Sequence, residues 1–171
     1  MILSDKDIKR LLKEKKLKIT PLQQDQIGPA SVDLTLSEEW YFFKDEYSRQ
    51  VVDLKETDFR EAFELKKSSE ITLKPGELCL GKTVEKLTLP NNIMGRLEGR
   101  SRYARMGVII HTTSALVQPG SDNRQVLEIV NLSPFPIRIH AGMRISQVVF
   151  ETLKTRTDKP YARFGQIAKG Q

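Results

Sequence analysis

Residues Ile71–Leu80 read ITLKPGELCL. Ile71 and Leu73 alternate with polar residues, Pro75-Gly76 follows, and Leu78 and Leu80 alternate again. A period of two predicts a strand with one buried face, and Pro-Gly is a turn signal. The stretch therefore predicts two short strands joined by a turn. The chain repeats this pattern toward its C-terminus in Val108-Ile109-Ile110, Val126–Val130, Ile137 with Ile139, and Ile145–Phe150, punctuated by Pro119-Gly120 and Ala141-Gly142. Many short strands with frequent turns and little helix predict an all-β architecture: a sandwich, jelly roll or distorted barrel.

Toward the N-terminus, Val32, Leu34 and Leu36 alternate with polar residues and predict one more half-buried strand. Ser4 followed by Asp7 is a helix N-cap signal, and Ile8, Leu11 and Leu12 then share one face. A short amphipathic helix is expected there, ending in the lysine-rich run before Ile19. Residues 44–69 are charged and irregular, which predicts an excursion carrying a short helix, with Phe59 and Phe63 packing back onto the body. After Phe150 the chain turns polar, and a flexible tail is expected from about residue 151. A length of 171 residues suits a single domain.

Composition narrows the function classes. Hydrophobic residues make up 39% and charged residues 29%, the balance of an ordinary globular chain. No apolar run approaches the roughly 20 residues of a membrane span. The opening MILSDKDIKR lacks an apolar signal-type stretch, so a cytoplasmic location is the expectation. The single cysteine, Cys79, leaves no internal disulfide and no zinc site of paired cysteines. A net charge of +6 fits either a solvated basic surface or an anionic partner. Basic and aromatic residues do not interleave regularly, so nucleic acid is not the expected partner.

The chemistry is concentrated in two places. Gly99–Gly107 reads GRSRYARMG. A helical turn there sets Ser101 and Arg105 on one face and offers N–H groups to phosphate oxygens, with Arg100, Arg102 and Arg105 beside them. A plain N-cap serine among solvated arginines is the competing reading. Glu128 sits between apolar neighbours in Val126–Val130, a strand expected to be buried on both sides. A carboxylate in such a place must be paired, protonated or functional, and an arginine is the expected structural partner. Carboxylate, hydroxyl and guanidinium together can activate and orient a water. His111 and His140 are not spaced as a metal pair, and His111, ending an apolar run, is read as structural. Neither a zinc-deaminase signature nor a GxSxG or Walker loop is present.

These motifs carry a resemblance. In order, MILSDKDI, IGPASVDLTL (27–36), LKPGELCLGKTVEKLTLP (73–90), GRSRYARMGVIIHTTS (99–114), QPG (118–120), VLEIVN (126–131) and AGMRISQVVFE (141–151) resemble the dCTP deaminases of the wider dUTPase-like group. The resemblance covers nearly the whole chain. It implies a distorted β-barrel of dUTPase-like type, assembled as a homotrimer with nucleotide sites between subunits. It implies that Glu128 handles the proton of the water attacking C4 of cytosine, and that Ser101 and Arg105 position that water and stabilise charge. Arg100–Arg105, Arg102 included, matches the triphosphate-binding stretch. Val126, Leu127 and Glu128 match the strand that reads the pyrimidine. Gln118, Gln147, Tyr161, Gln166, Lys169 and Gln171 match further nucleotide-binding positions. Mg²⁺ is expected as a companion of the triphosphate without a protein cage of its own, and zinc is not expected.

The chain also departs from the family pattern. Arg102 stands where a second serine is usual, and Gln118 where an aspartate is usual. Gln118 can hydrogen-bond a sugar hydroxyl but cannot act as a base. Ser121-Asp-Asn-Arg124 replaces an aromatic-x-glycine. A dCTP deaminase yielding dUTP is the leading expectation. A dUTP diphosphatase or dUMP-forming bifunctional enzyme is the second, and a non-catalytic nucleotide-binding paralogue the third.

Overall fold

The two-residue periodicity runs through most of the backbone, and the strands it builds are longer than the apolar runs alone suggest. The computed structural model describes residues 1–111 and 114–164. Helix α1 (Asp5–Lys13) is capped as the sequence predicts. Ser4 Oγ accepts from the Asp7 N–H, and the Asp7 carboxylate accepts from the Ser4 N–H. Ile8 on its inner face is fully buried. Strands β1 (Lys18–Thr20) and β2 (Val32–Phe43) follow. In β2, Val32, Leu34, Leu36 and Trp40 are all fully buried.

The excursion after β2 holds two 3-10 turns (Asp45–Arg49 and Phe59–Ala62) and strand β3 (Phe63–Lys67), which pairs with β2. No strand is expected there from the sequence. Phe63 does pack back, stacking on Phe43, whereas Phe59 stays 48% exposed. The remaining strands are β4 (Glu70–Leu73), β5 (Leu78–Thr88), β6 (Ile93–Gly99), β7 (Val108–Ile110), β8 (Leu116–Val117), β9 (Asp122–Asn131), β10 (Ile137–His140) and β11 (Arg144–Thr152). Two four-residue helices, α2 (Ser101–Ala104) and α3 (Tyr161–Phe164), complete the described chain.

Every strand pair is antiparallel. One curled sheet runs in the order β7-β9-β5-β2-β11-β6-β8, with β1 added on β5 and β3 on β2, and β10 and β4 form a separate pair. The curl comes from β2. Its first half pairs with β11 and its second half with β5 and β3, and the register shifts between Leu36 and Trp40. Such irregularities bend a strand and sharpen its twist. Gly81 allows the close approach at this bend, since a Cβ there would fall 2.9 Å from both Ile129 Cδ1 and Leu36 Cδ2.

Strand β9 corrects one expectation. Leu127 and Ile129 are fully buried, but Val126, Glu128 and Val130 are only half-buried. The strand has one core face, and the other opens outward. After β11 the chain stays on the body through residue 164. Leu153 and Thr157 donate to the Asn92 and Asn91 carbonyls, and Tyr161 donates to the Pro119 carbonyl, each at 2.9 Å. Among the described residues, no helix is long and apolar enough to cross a membrane.

Candidate active site

Strand register brings Glu128 to His111. The β7–β9 pairing sets Ile110 opposite Ile129, so the next residue along, His111, meets Glu128, and its backbone N–H donates to the Glu128 carbonyl at 2.8 Å. The side chains meet as well, with His111 Nδ1 and Glu128 Oε2 2.6 Å apart. The contact is close but not aligned as a hydrogen bond, and neither atom has another hydrogen-bond partner among the described residues. His111 is buried and takes φ +52°, a conformation rare outside glycine but easier for His than for branched residues.

The other ring nitrogen fixes the proton count. Nε2 lies 2.8 Å from the Ser114 carbonyl, which can only accept, so Nε2 carries a proton. A neutral ring then has a lone pair on Nδ1, facing a carboxylate oxygen. A favourable 2.6 Å contact thus requires one further proton, held by the ring or by the acid. Burial is the largest influence on the Glu128 carboxyl and raises its pKa. The contact and charge of His111 outweigh it and leave the group below the usual carboxylate value. Glu128 thus pairs with a histidine rather than the expected arginine. Oε2 is buried against His111, and the 35% side-chain exposure of Glu128 lies on the rest of the group.

Glu128 lines a cavity of about 790 Å³ with Gln118, Val126 and Tyr161. These sequence-predicted positions are brought together. Leu127 is not, because its side chain is fully buried on the core face. Helix α2 forms a separate cluster. Its turn aligns Ser101 and Arg105 as their spacing predicts, with the Arg105 N–H donating to the Ser101 carbonyl at 3.0 Å. Ser101, Arg102 and Arg105 are all exposed, and none of them lines the Glu128 cavity within one chain. Arg100 anchors the turn, with its Nη1 3.0 Å from Asp33 Oδ2 and 3.2 Å from the Arg144 carbonyl. Gln147 stands behind it, its Oε1 accepting from Ser31 Oγ at 2.7 Å. Gln166, Lys169 and Gln171 lie outside the described residues. His140 pairs with exposed Glu70, and no three His, Cys, Asp or Glu among the described residues group to hold a metal ion.

The dCTP deaminase-like family model matches residues 2–153. The chain belongs to this family. A dUMP-forming dCTP deaminase from Dictyoglomus turgidum is 40% identical over 165 residues, covering 94% of this chain and 85% of that protein. A dCTP deaminase from Haloarcula marismortui is 38% identical over 177 residues, covering 100% of this chain and 91% of that protein. The crystal structure of a 2'-deoxycytidine 5'-triphosphate deaminase from Agrobacterium tumefaciens superposes with a TM-score of 0.69 at 25% identity. It covers 88% of this chain and 47% of that one. A Staphylococcus bacteriophage 80alpha dUTPase, at TM-score 0.52 and 16% identity over 90% of this chain and 92% of that one, shares the fold. Against this family frame, His111 is the functional candidate that sequence reasoning passed over. Nothing in its local sequence ties it to Glu128, and the tie exists only through strand pairing.

Proposed function

We propose that this member of the dCTP deaminase-like family hydrolyses dCTP at C4 of cytosine, forming dUTP and ammonia, in sites shared between subunits of a homotrimer. The observation that carries the reading is a half-buried carboxylate held by His111 at the wall of a nucleotide-sized cavity. With Oε2 occupied by His111, Oε1 is the oxygen that meets a water. Glu128 takes a proton from that water as its oxygen bonds to C4, and delivers the proton to N3. A second transfer carries the remaining hydroxyl proton to the amino nitrogen, the C4–N bond breaks, and ammonia leaves. The reaction balances as dCTP plus water giving dUTP plus ammonia.

The cluster around α2 supplies the other half of the reading. Ser101 and Arg105 orient the water and stabilise developing charge, while Arg100 and Arg102 hold the triphosphate. Mg²⁺ accompanies the triphosphate as part of the substrate. Gln118 and Tyr161 bind the sugar from the cavity wall, and Gln147, Gln166, Lys169 and Gln171 are further nucleotide-binding positions. A cytoplasmic enzyme of deoxynucleotide metabolism fits this chemistry.

A second reading, in which dUMP and pyrophosphate are released, is favoured by the dUMP-forming names of several relatives. Against it, Gln118 stands where an aspartate is usual and cannot serve as a base for a second water. Product analysis of purified protein with dCTP and with dUTP separates the readings. Ammonia with dUTP supports the first, and pyrophosphate with dUMP replaces it by the second. Binding without turnover leaves a nucleotide-binding paralogue.

A further inference from the structure

The cavity that holds Glu128 and His111 has a second wall that contributes only aromatic carbon. Phe43 ends β2, and Phe59 and Phe63 bracket the 3-10 turn of the excursion; all three line the cavity. Phe43 and Phe63 stack with ring centroids 4.3 Å apart and an interplanar angle of 29°. Yet Phe43 is 51% exposed and Phe59 48%. Leaving phenyl rings half in water forgoes a large part of the stabilisation that burying such a side chain brings. A patch of this kind inside a cleft marks a surface that something covers. The cavity is also lined by Leu80 and Val126 from the sheet, and Leu80 is the register partner of Glu128 on β5.

Charge decides which part of a nucleotide belongs here. None of the described residues lining the cavity is lysine or arginine; the Arg60 guanidinium lies over the Phe59 ring, 5.5 Å from its centroid, but is not part of this lining. A triphosphate finds no cation in the cavity lining to hold it. A flat, uncharged heterocycle needs none, because every base has a face that stacks on an aromatic ring.

Building on the proposed function, we infer that Phe59, which lines the cavity together with the stacked Phe43 and Phe63, is the platform on which the pyrimidine ring lies beside Glu128. The excursion of residues 44–69, which carries no acid–base group into the cavity, is then a substrate-binding element. It acts on the base and not on the phosphates.

Three variants at Phe59 test this, because the side chain is half exposed and its loss leaves the core intact. Phe59→Ala raises KM for dCTP roughly tenfold, as expected for a lost base stack, with kcat little changed. Phe59→Leu, apolar but without a ring, recovers part of the loss, and Phe59→Trp recovers most of it. The inhibition constant of inorganic tripolyphosphate, which has no base, stays as in the wild type. An unchanged KM in Phe59→Ala overturns the inference. So does a parallel rise in the tripolyphosphate constant, or a change of mass by light scattering, which would assign the wall to contact between copies. If the wild type releases no ammonia, the proposed function fails separately. Equilibrium dialysis of dCTP against the same variants then still decides whether Phe59 holds the base.

Discussion

Glu128 and His111 make one unit, and substituting either should expose the other. Glu128→Gln keeps the shape but removes the proton acceptor. Turnover should fall by about 10²–10⁴-fold while dCTP binding, followed by equilibrium dialysis, stays largely intact. His111→Asn suits the positive φ of the site but removes the ring beside Oε2. Burial of Glu128 then acts with less opposition, and its pKa should rise. The acidic limb of the pH–kcat profile should move toward neutral pH, a shift that a purely structural histidine would not cause. The wild-type sign follows from the same balance. Glu128 is held below its ordinary value of 4.5, so its contribution to stability is present above that pH and is lost as pH falls through the folded value. Urea midpoints measured from pH 7 down to pH 3 should show that loss, and Glu128→Gln should reduce it. The acid was legible in the sequence as a charge among aliphatic residues. Its histidine was not, because their encounter depends on how β7 registers against β9.

Among the elements, the α2 turn is held from behind. Asp33 on β2 pairs with Arg100, and Arg144 on β11 donates from its Nη2 to Asp25 Oδ1 at 2.9 Å. Burial pushes the Asp33 carboxyl up, against the pull of Arg100 and Arg144. Asp33→Ala leaves the Arg100 guanidinium short of its partner. It should lower stability by about 1–3 kcal/mol and raise KM for dCTP, read from urea unfolding and steady-state kinetics. Gly81→Ala probes the bend of β2. Its Cβ meets Ile129 and Leu36 side chains at 2.9 Å, and the overpacking should cost about 1–3 kcal/mol. The strands from Ile71 to Phe150 were largely legible, because alternation follows from one face being buried. β3 was not, because it lies at an edge where Phe63 alone is even partly buried, so no alternating pattern marks it. Phe59 misled for the same reason: an aromatic in an irregular segment does not tell whether it faces core or cleft.

Across the whole molecule, the Glu128 cavity and the exposed α2 residues are separate in one chain. A shared site predicts complementation. Glu128→Gln and Arg105→Ala subunits, each inactive alone, should regain about a quarter of wild-type activity when mixed in equal amounts and reassembled, since each working site draws one intact half from each type. Light scattering should give the mass of three chains, and a monomer that turns over dCTP would contradict the shared site. The sequence by itself determined the all-β class, the capped first helix, most strand positions and the acid and arginine motifs. Each of these follows from local periodicity, turn chemistry or an unusual charge in an apolar run. Only the tertiary structure decided that β9 has an open face, that His111 is the partner of Glu128, and that phenylalanines from the excursion wall the cavity. Those relations join residues far apart in the chain through strand register and packing, which no local pattern encodes.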